Sequence, residues 1–271
     1  MAVPKSDTTS RLSPPTKHTA FAALRYRDFR LLWMGQIISV TGSQMQSVAI
    51  NWHVYLLTKS ALALGLVGLF RGAPIIVCSL AGGVVADAID RKRLMVVTQS
   101  IMLASAGLLM LATIAGLKSV WPIYILSAIA AAATAFDVPA RQSLMPMLVP
   151  VEDFPNAVSL GLIVFNMATI CGPPLAGLLL ASSGPGIVYA INAASFVAVI
   201  AALLGMRTSG DPELQGKRRN AMSLQALKEG LQFVWKTPII VQTMTLDFAA
   251  TFFASATLLL PIFATEVLHV D

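Results

Sequence analysis

Charge is scarce in this sequence. Only 12% of its 271 residues are Asp, Glu, Lys or Arg, against about a quarter in soluble domains, which excludes an ordinary cytosolic enzyme. Cysteine is nearly absent: the chain holds two. Both, Cys78 and Cys171, fall inside apolar runs, so a secreted disulfide scaffold is excluded and each is read as a small buried side chain. His53 has no second ligand at metal-binding spacing, so no metal site is expected. A Gly-rich loop ending in Lys and Ser/Thr is missing, and with it the expectation of direct ATP hydrolysis. Catalytic Ser/His/Asp constellations are missing too, and the chain is not read as an enzyme. Residues 1–20 are rich in Pro, Ser, Thr and Lys with no apolar core of signal-peptide length, which predicts a disordered cytoplasmic tail.

What is abundant is apolar. Hydrophobic residues make up 56% of the chain and its mean hydropathy is +0.74. They are gathered into seven runs, at about 29–57, 62–86, 94–117, 121–139, 154–182, 187–206 and 239–263, most at or above the roughly 18 to 20 residues that cross a hydrocarbon core. The runs lack the ten-residue alternation of outer-membrane strands. An all-α membrane protein with seven spans is predicted.

The net charge of +6 would suggest a nucleic-acid partner in a soluble chain, but topology accounts for it better here, and no nucleic acid is expected. Sixteen of the 19 Lys and Arg residues lie in the tail up to Arg30, at Arg91, Lys92 and Arg93, at Arg141, or between Arg207 and Lys236. The opposite connectors carry only Lys59 and Lys118. By the positive-inside rule the N-terminus is cytoplasmic and the protein is a multi-pass protein of the inner membrane. Residues 207–238 form a cytoplasmic linker whose Leu224, Leu227, Leu231 and Val234 share one face of an amphipathic helix capped at Ser223.

Polar residues inside the spans carry the functional information. Gln36, Ser39, Ser43 and Gln46 or Ser47 recur at helical spacing in the first span, as either a substrate-pathway lining or a set of interhelical hydrogen bonds. Asn51 and His53, near its far end, are expected to meet the headgroups. Arg71 lies nine residues into the second span, roughly 14 Å deep, and should face protein or water and have a partner there. Asp247, a similar distance into the seventh span, is either a coupling carboxylate or a silent partner for Arg71 or another helix. Gly65, Gly68 and Gly72 are read as a close-approach surface for another helix.

The second span leaves the membrane through Gly83, Asp87, Asp90, Arg91, Lys92 and Arg93. Gly83, Asp87 and the basic cluster resemble the loop between the second and third spans of the major facilitator superfamily, although Ala88 stands where Arg is common and Asp90 where Gly is common. Phe136, Asp137, Pro139, Ala140, Arg141, Gln142, Pro146, Leu148, Val149 and Pro150, with Asn156 and Ala157, are similar to the branch containing the enterobactin exporter and related drug exporters. Ala23, Leu24, Arg25, Phe29, Arg30, Trp33 and Gln36 match the same branch, and the likeness covers most of residues 20–205. Ala168, Gly172, Pro173, Ala176 and Gly177 resemble its fifth-span antiporter motif, associated with export; as plain residues they also read as a packing kink. Ala130 to Ala133 occupy the fourth span, where proton-coupled drug exporters commonly have an arginine.

The resemblance implies a six-span N-terminal half at 21–206 built from two inverted three-helix repeats, followed by the linker and, at 239–271, the seventh span of an incomplete second half. It implies a secondary exporter of a siderophore or other amphipathic small molecule. Gln36, Ser43, Arg71 and Asp247 would serve the cavity or coupling. Gly83, Asp87, Arg91, Asp137 and Arg141 would form a cytoplasmic gate, and Gly172, Pro173 and Gly177 the fifth-span kink. No cofactor is expected beyond a proton gradient, and the partners are the lipid bilayer, the small molecule and a missing C-terminal half or second chain. A truncated or non-transporting seven-span partner of a full-length transporter is the alternative.

Overall fold

The computed structural model describes residues 21–208 and 232–254, with the backbone alone for 80–88, 248 and 251–254. The tail and most of the linker, Ser223, Leu224, Leu227 and Leu231 included, lie outside the described residues. After a short 3-10 turn at Ala22–Arg25 come α1 (Arg27–Thr58), α2 (Ala61–Ala88), α3 (Arg91–Ile114), α4 (Trp121–Leu144), α5 (Phe154–Ser183), α6 (Pro185–Gly205) and α7 (Pro238–Ala254). No strand occurs among the described residues.

Local chemistry sets the helix ends. Asp90 caps α3 by accepting the Arg93 amide at 3.0 Å. Pro122, Pro155 and Pro185 open α4, α5 and α6 in the first turn, where a missing N–H removes no bond. Gly184 is the single residue between α5 and α6, with φ 72° and ψ −176°, a region open essentially to glycine. Among the described residues, five stretches are long and apolar enough to cross a membrane: Ala61–Ser79, Arg91–Ile114, Trp121–Met147, Val151–Ser183 and Pro185–Gly205. Of the expected seven, α1 does not meet this measure, and the span at 239–263 is described only as far as Ala254. Helix α1 has the length, 32 residues, but its Gln, Ser and Asn side chains dilute its apolar content.

Packing follows a symmetric scheme. Helix α2 packs on α4, α1 on α5 and α6, and α3 on α4 and α6. Exchanging α1–α3 for α4–α6 in order converts this set into itself: the α2–α4 pair becomes α5–α1, α1–α6 becomes α4–α3, and α3–α6 is unchanged. That is the pattern expected of two three-helix repeats, and the odd helix number makes the second run in the opposite sense.

Between helices in lipid the cohesion comes from close packing, because lipid tails are as apolar as the side chains themselves. One apolar cluster, around Phe29, Leu32, Met95, Leu144, Leu160 and Leu203, fills the end of the bundle nearest Arg91. A second, around Val54, Leu64, Leu109, Ile123, Val188 and Tyr189, fills the other end. The layer between them contains buried polar groups. Asn192 Nδ2 donates to Gln46 Oε1 at 2.7 Å, linking α6 to α1. A Cβ at Gly42 would stand 2.6 Å from Asn192 Oδ1, and one at Gly172 would stand 2.7 Å from the Gln44 Cβ. Helix α1 is therefore in backbone-close contact with both α6 and α5.

The basic end is tied by polar bonds. Asp28 accepts from the Thr208 amide at 2.7 Å, the Thr208 hydroxyl at 2.6 Å and the Arg207 amide at 3.0 Å. Tyr26, ahead of α1, donates its phenol to Asp153 Oδ2 at 2.8 Å. The hydrogen bond to Asp153, with some burial and the carboxylate's charge, raises the tyrosine pKa above its ordinary value.

Candidate functional site

Two cavities lie along one wall of the bundle. The larger, about 390 Å³, is bounded by α1, α4 and α5 and is mainly aromatic and aliphatic, with Phe29, Trp33, Val40, Phe154 and Phe165 among its walls and Gln36 and Arg141 as its polar floor. The smaller, about 120 Å³, is bounded by α1, α2, α3, α4 and α6 and contains Ser43, Ser47, Arg71, Ser127, Thr134 and Asn192. Helix α1 supplies Gln36 and Val40 to the first and Ser43 and Ser47 to the second. At about 100° per residue, 36, 43 and 47 fall within one arc of about 40°. Helix α4 does the same with Val138 and Arg141, then Ser127 and Thr134. The two lining helices are those exchanged by the internal symmetry.

The polar stripe of α1 thus divides. Gln36, Ser43 and Ser47 face the cavities, whereas Ser39 is buried, and Gln46 bonds Asn192 while still lining the smaller cavity. Asp137, only 2% exposed, accepts from Thr98 Oγ1 at 2.9 Å and Gln99 Nε2 at 3.0 Å. One turn on, Arg141 pairs with it at 3.4 Å and donates to Gln36 Oε1. This buried carboxylate is fully engaged. The Gln36 Nε2 group beside it has no partner among the described residues.

Arg71 presents the opposite case. Its guanidinium donates to Ser47 Oγ at 2.7 Å, and among the described residues it forms no salt bridge. The expected partner is thus a hydroxyl. Asp247 is exposed on α7 and forms no salt bridge among the described residues.

Of the expected gate, Asp137 and Arg141 are brought together, while Arg91 turns to Met147 Sδ at 3.6 Å. Gly83 and Asp87 lie in the last turns of α2, where side chains are outside the described residues. In α5, Gly172 meets α1 closely and Pro173 sits within the helix, next to Pro174, whereas a Cβ at Gly177 would touch nothing within 4 Å. A Cβ at Gly65 or Gly72 would likewise touch nothing within 4 Å. Asn51 and His53 do not reach a headgroup zone: both are buried, and His53 Nδ1 lies 3.2 Å from the Tyr189 hydroxyl. Sequence reasoning missed Ser127, Thr134 and Asn192. The signal was available as isolated polar residues within otherwise apolar runs, the first two seven residues apart on one helix face.

The profile of the transmembrane secretion effector family, a group within the major facilitator superfamily, matches residues 18–271. The chain belongs to this family. It is 27% identical over 227 residues to the multidrug efflux pump Tap of Mycolicibacterium fortuitum, covering 82% of this chain and 55% of that protein. It is 28% identical to macrolide efflux protein A of Streptococcus pyogenes over 188 residues, 68% of this chain and 45% of the other. With the enterobactin exporter EntS of Escherichia coli O1:K1 / APEC it shares 24% identity over 213 residues, 78% and 50% of the two chains. The chain spans about half the length of the curated relatives it matches. The family is one of multi-pass membrane transporters, not of enzymes.

Proposed function

We propose that this chain forms one half of a secondary active exporter. It moves an amphipathic small molecule, a siderophore or a drug-like compound, across the inner membrane by alternating access. A second six-helix half, on the same polypeptide or another, supplies the opposite wall. The observation that carries this reading is the wall shared by α1 and α4, along which lie an apolar chamber containing Gln36 and Arg141 and a smaller recess containing Ser43, Ser47, Arg71 and Ser127. Such a wall matches a ligand with an apolar body and a polar end. Export and drug- or siderophore-like cargo are supported by the names of the relatives.

In this reading the basic end faces the cytoplasm, as the distribution of Lys and Arg favours. Asp137 and Arg141 hold the α3, α4 and α1 segments of the cytoplasmic gate in register, with Arg91, Gly83 and Asp87 at its rim. Gly172 gives α5 its close contact with α1, and Pro173 removes a backbone hydrogen bond, the local freedom to bend that a rocking helix needs. Asp247 is the candidate proton-coupling carboxylate. The test is flux into inverted membrane vesicles holding the full-length protein, with a macrolide and enterobactin as first probes. Saturable, gradient-dependent accumulation is expected. If instead the native protein has the 28.7 kDa mass of this chain and neither probe accumulates, the chain is a membrane partner rather than a transporter.

A further inference from the structure

The recess at Arg71 is built to accept something, and its unspent hydrogen-bonding capacity says what. Thr134 donates its hydroxyl to the Ala130 carbonyl at 2.9 Å, and Asn192 donates its amide to Gln46. Ser127, only 4% exposed, has no partner for its hydroxyl among the described residues. Arg71 spends one N–H on Ser47. A guanidinium has donors and no acceptor, and its other N–H groups have no protein acceptor among the described residues. The lining holds no Asp or Glu. Two sets of unspent donors, one of them cationic, therefore converge on a space of about 120 Å³.

A group that only accepts hydrogen bonds and carries negative charge completes such a site. A carboxylate does both, pairs with a guanidinium in a planar fork, and fits the volume. An ammonium group would meet like charge with no carboxylate to offset it. A neutral alcohol would leave the guanidinium uncompensated at mid-membrane depth, where an unpaired charge is costly. The recess and the apolar chamber are both lined by α1, Val40 in the one and Ser43 in the other.

We propose that this recess is a subsite for a single anionic group of carboxylate type on the transported molecule, with Arg71 as its counter-charge and Ser127 as an additional donor. The cargo's apolar body then occupies the larger chamber. The assignment of the anion to a cargo rests on the exporter reading above, but anion binding is measurable without transport.

The experiment uses purified full-length protein in detergent and a matched pair of probes, 2-naphthoate and its methyl ester, followed by calorimetric titration. The acid is expected to bind and the ester to bind at least about tenfold more weakly. Arg71→Gln should lower the affinity for the acid about ten- to a hundredfold while leaving the ester unchanged, and Arg71→Lys should restore part of it. Ser127→Ala, which tests the site even if Arg71→Gln folds poorly, should weaken the acid about three- to tenfold. Equal affinity for acid and ester, no binding of the acid, or unchanged acid binding in Ser127→Ala and Arg71→Gln overturns the proposal. Charge-selective binding with no flux in vesicles would retain the anion site and remove the exporter reading. Flux without charge selectivity would do the reverse.

Discussion

Arg141 and Arg71 sit on the same wall of one bundle, yet their surroundings are opposite. Arg141 also lines the larger cavity, yet it lies one helical turn from Asp137, which gathers Thr98 and Gln99 as well, so the charges cancel within the protein. Arg71 has a single serine and a recess. The first arrangement is a fastening between α1, α3 and α4; the second leaves positive charge available. Depth in the membrane alone does not distinguish a structural arginine from a ligand-facing one. What distinguishes them is whether the protein itself consumes the donors.

The largest expected effect tests this contrast directly. Arg141→Leu leaves the Asp137 carboxylate buried without its cation and should cost about 3 kcal/mol, seen as a lowered unfolding midpoint in detergent. Arg71→Leu orphans only Ser47 and should stay within about 1 kcal/mol of the parent. Equal losses for the two would erase the distinction. Replacing Asp137 and Arg141 together by Leu should cost less than either single change, because no unpaired charge remains.

Filled and open surroundings also separate the glycines. Gly42→Ala places a methyl 2.6 Å from Asn192 Oδ1 and 2.9 Å from Ser195 Oγ and should cost about 1–3 kcal/mol, while Gly177→Ala, with nothing within 4 Å, should be neutral by the same thermal assay. Smaller still is the buried amide pair. A double-mutant cycle on Gln46→Ala and Asn192→Ala should give a coupling of about 0.6 kcal/mol, and at most about 1.7. The smallest effect lies at the tie ahead of α1. Because the folded state holds the Tyr26 proton more tightly, its contribution is present at neutral pH and is lost as pH rises past the ordinary value of 10.0 and through the raised one. Tyr26→Phe should therefore differ from the parent at pH 8 and converge with it in strong alkali.

Much of this was legible in the residues. The apolar runs and their breaks placed the helices, because the length needed to cross a bilayer and the position of Pro and Gly are local properties. The spacing of Gln36, Ser39, Ser43 and Gln46 or Ser47 placed them on one face of α1 for the same reason, but left open whether that face lined a pathway or bonded other helices. What was not legible was which neighbour each face would meet. Arg71 was expected to have a partner of unspecified kind and found Ser47, a matter of how α2 leans on α1 and not of either helix alone. His53 was expected at the surface and is covered by Tyr189, 136 residues away. Periodicity gives a direction around a helix axis; tertiary packing decides what stands in that direction.

The close seating of α1 bears on how this half moves. With a glycine pressed against α6 at Gly42 and one from α5 pressed against it at Gly172, and with Asp28 holding the segment after α6, α1 has no room to slide or roll past either neighbour. Any tilt it undergoes must carry α5 and α6 with it as one stiff plate. Distances between probes attached to α1 and α6 should then remain fixed through a working cycle, and the motion that exposes the wall should register only against something outside the plate.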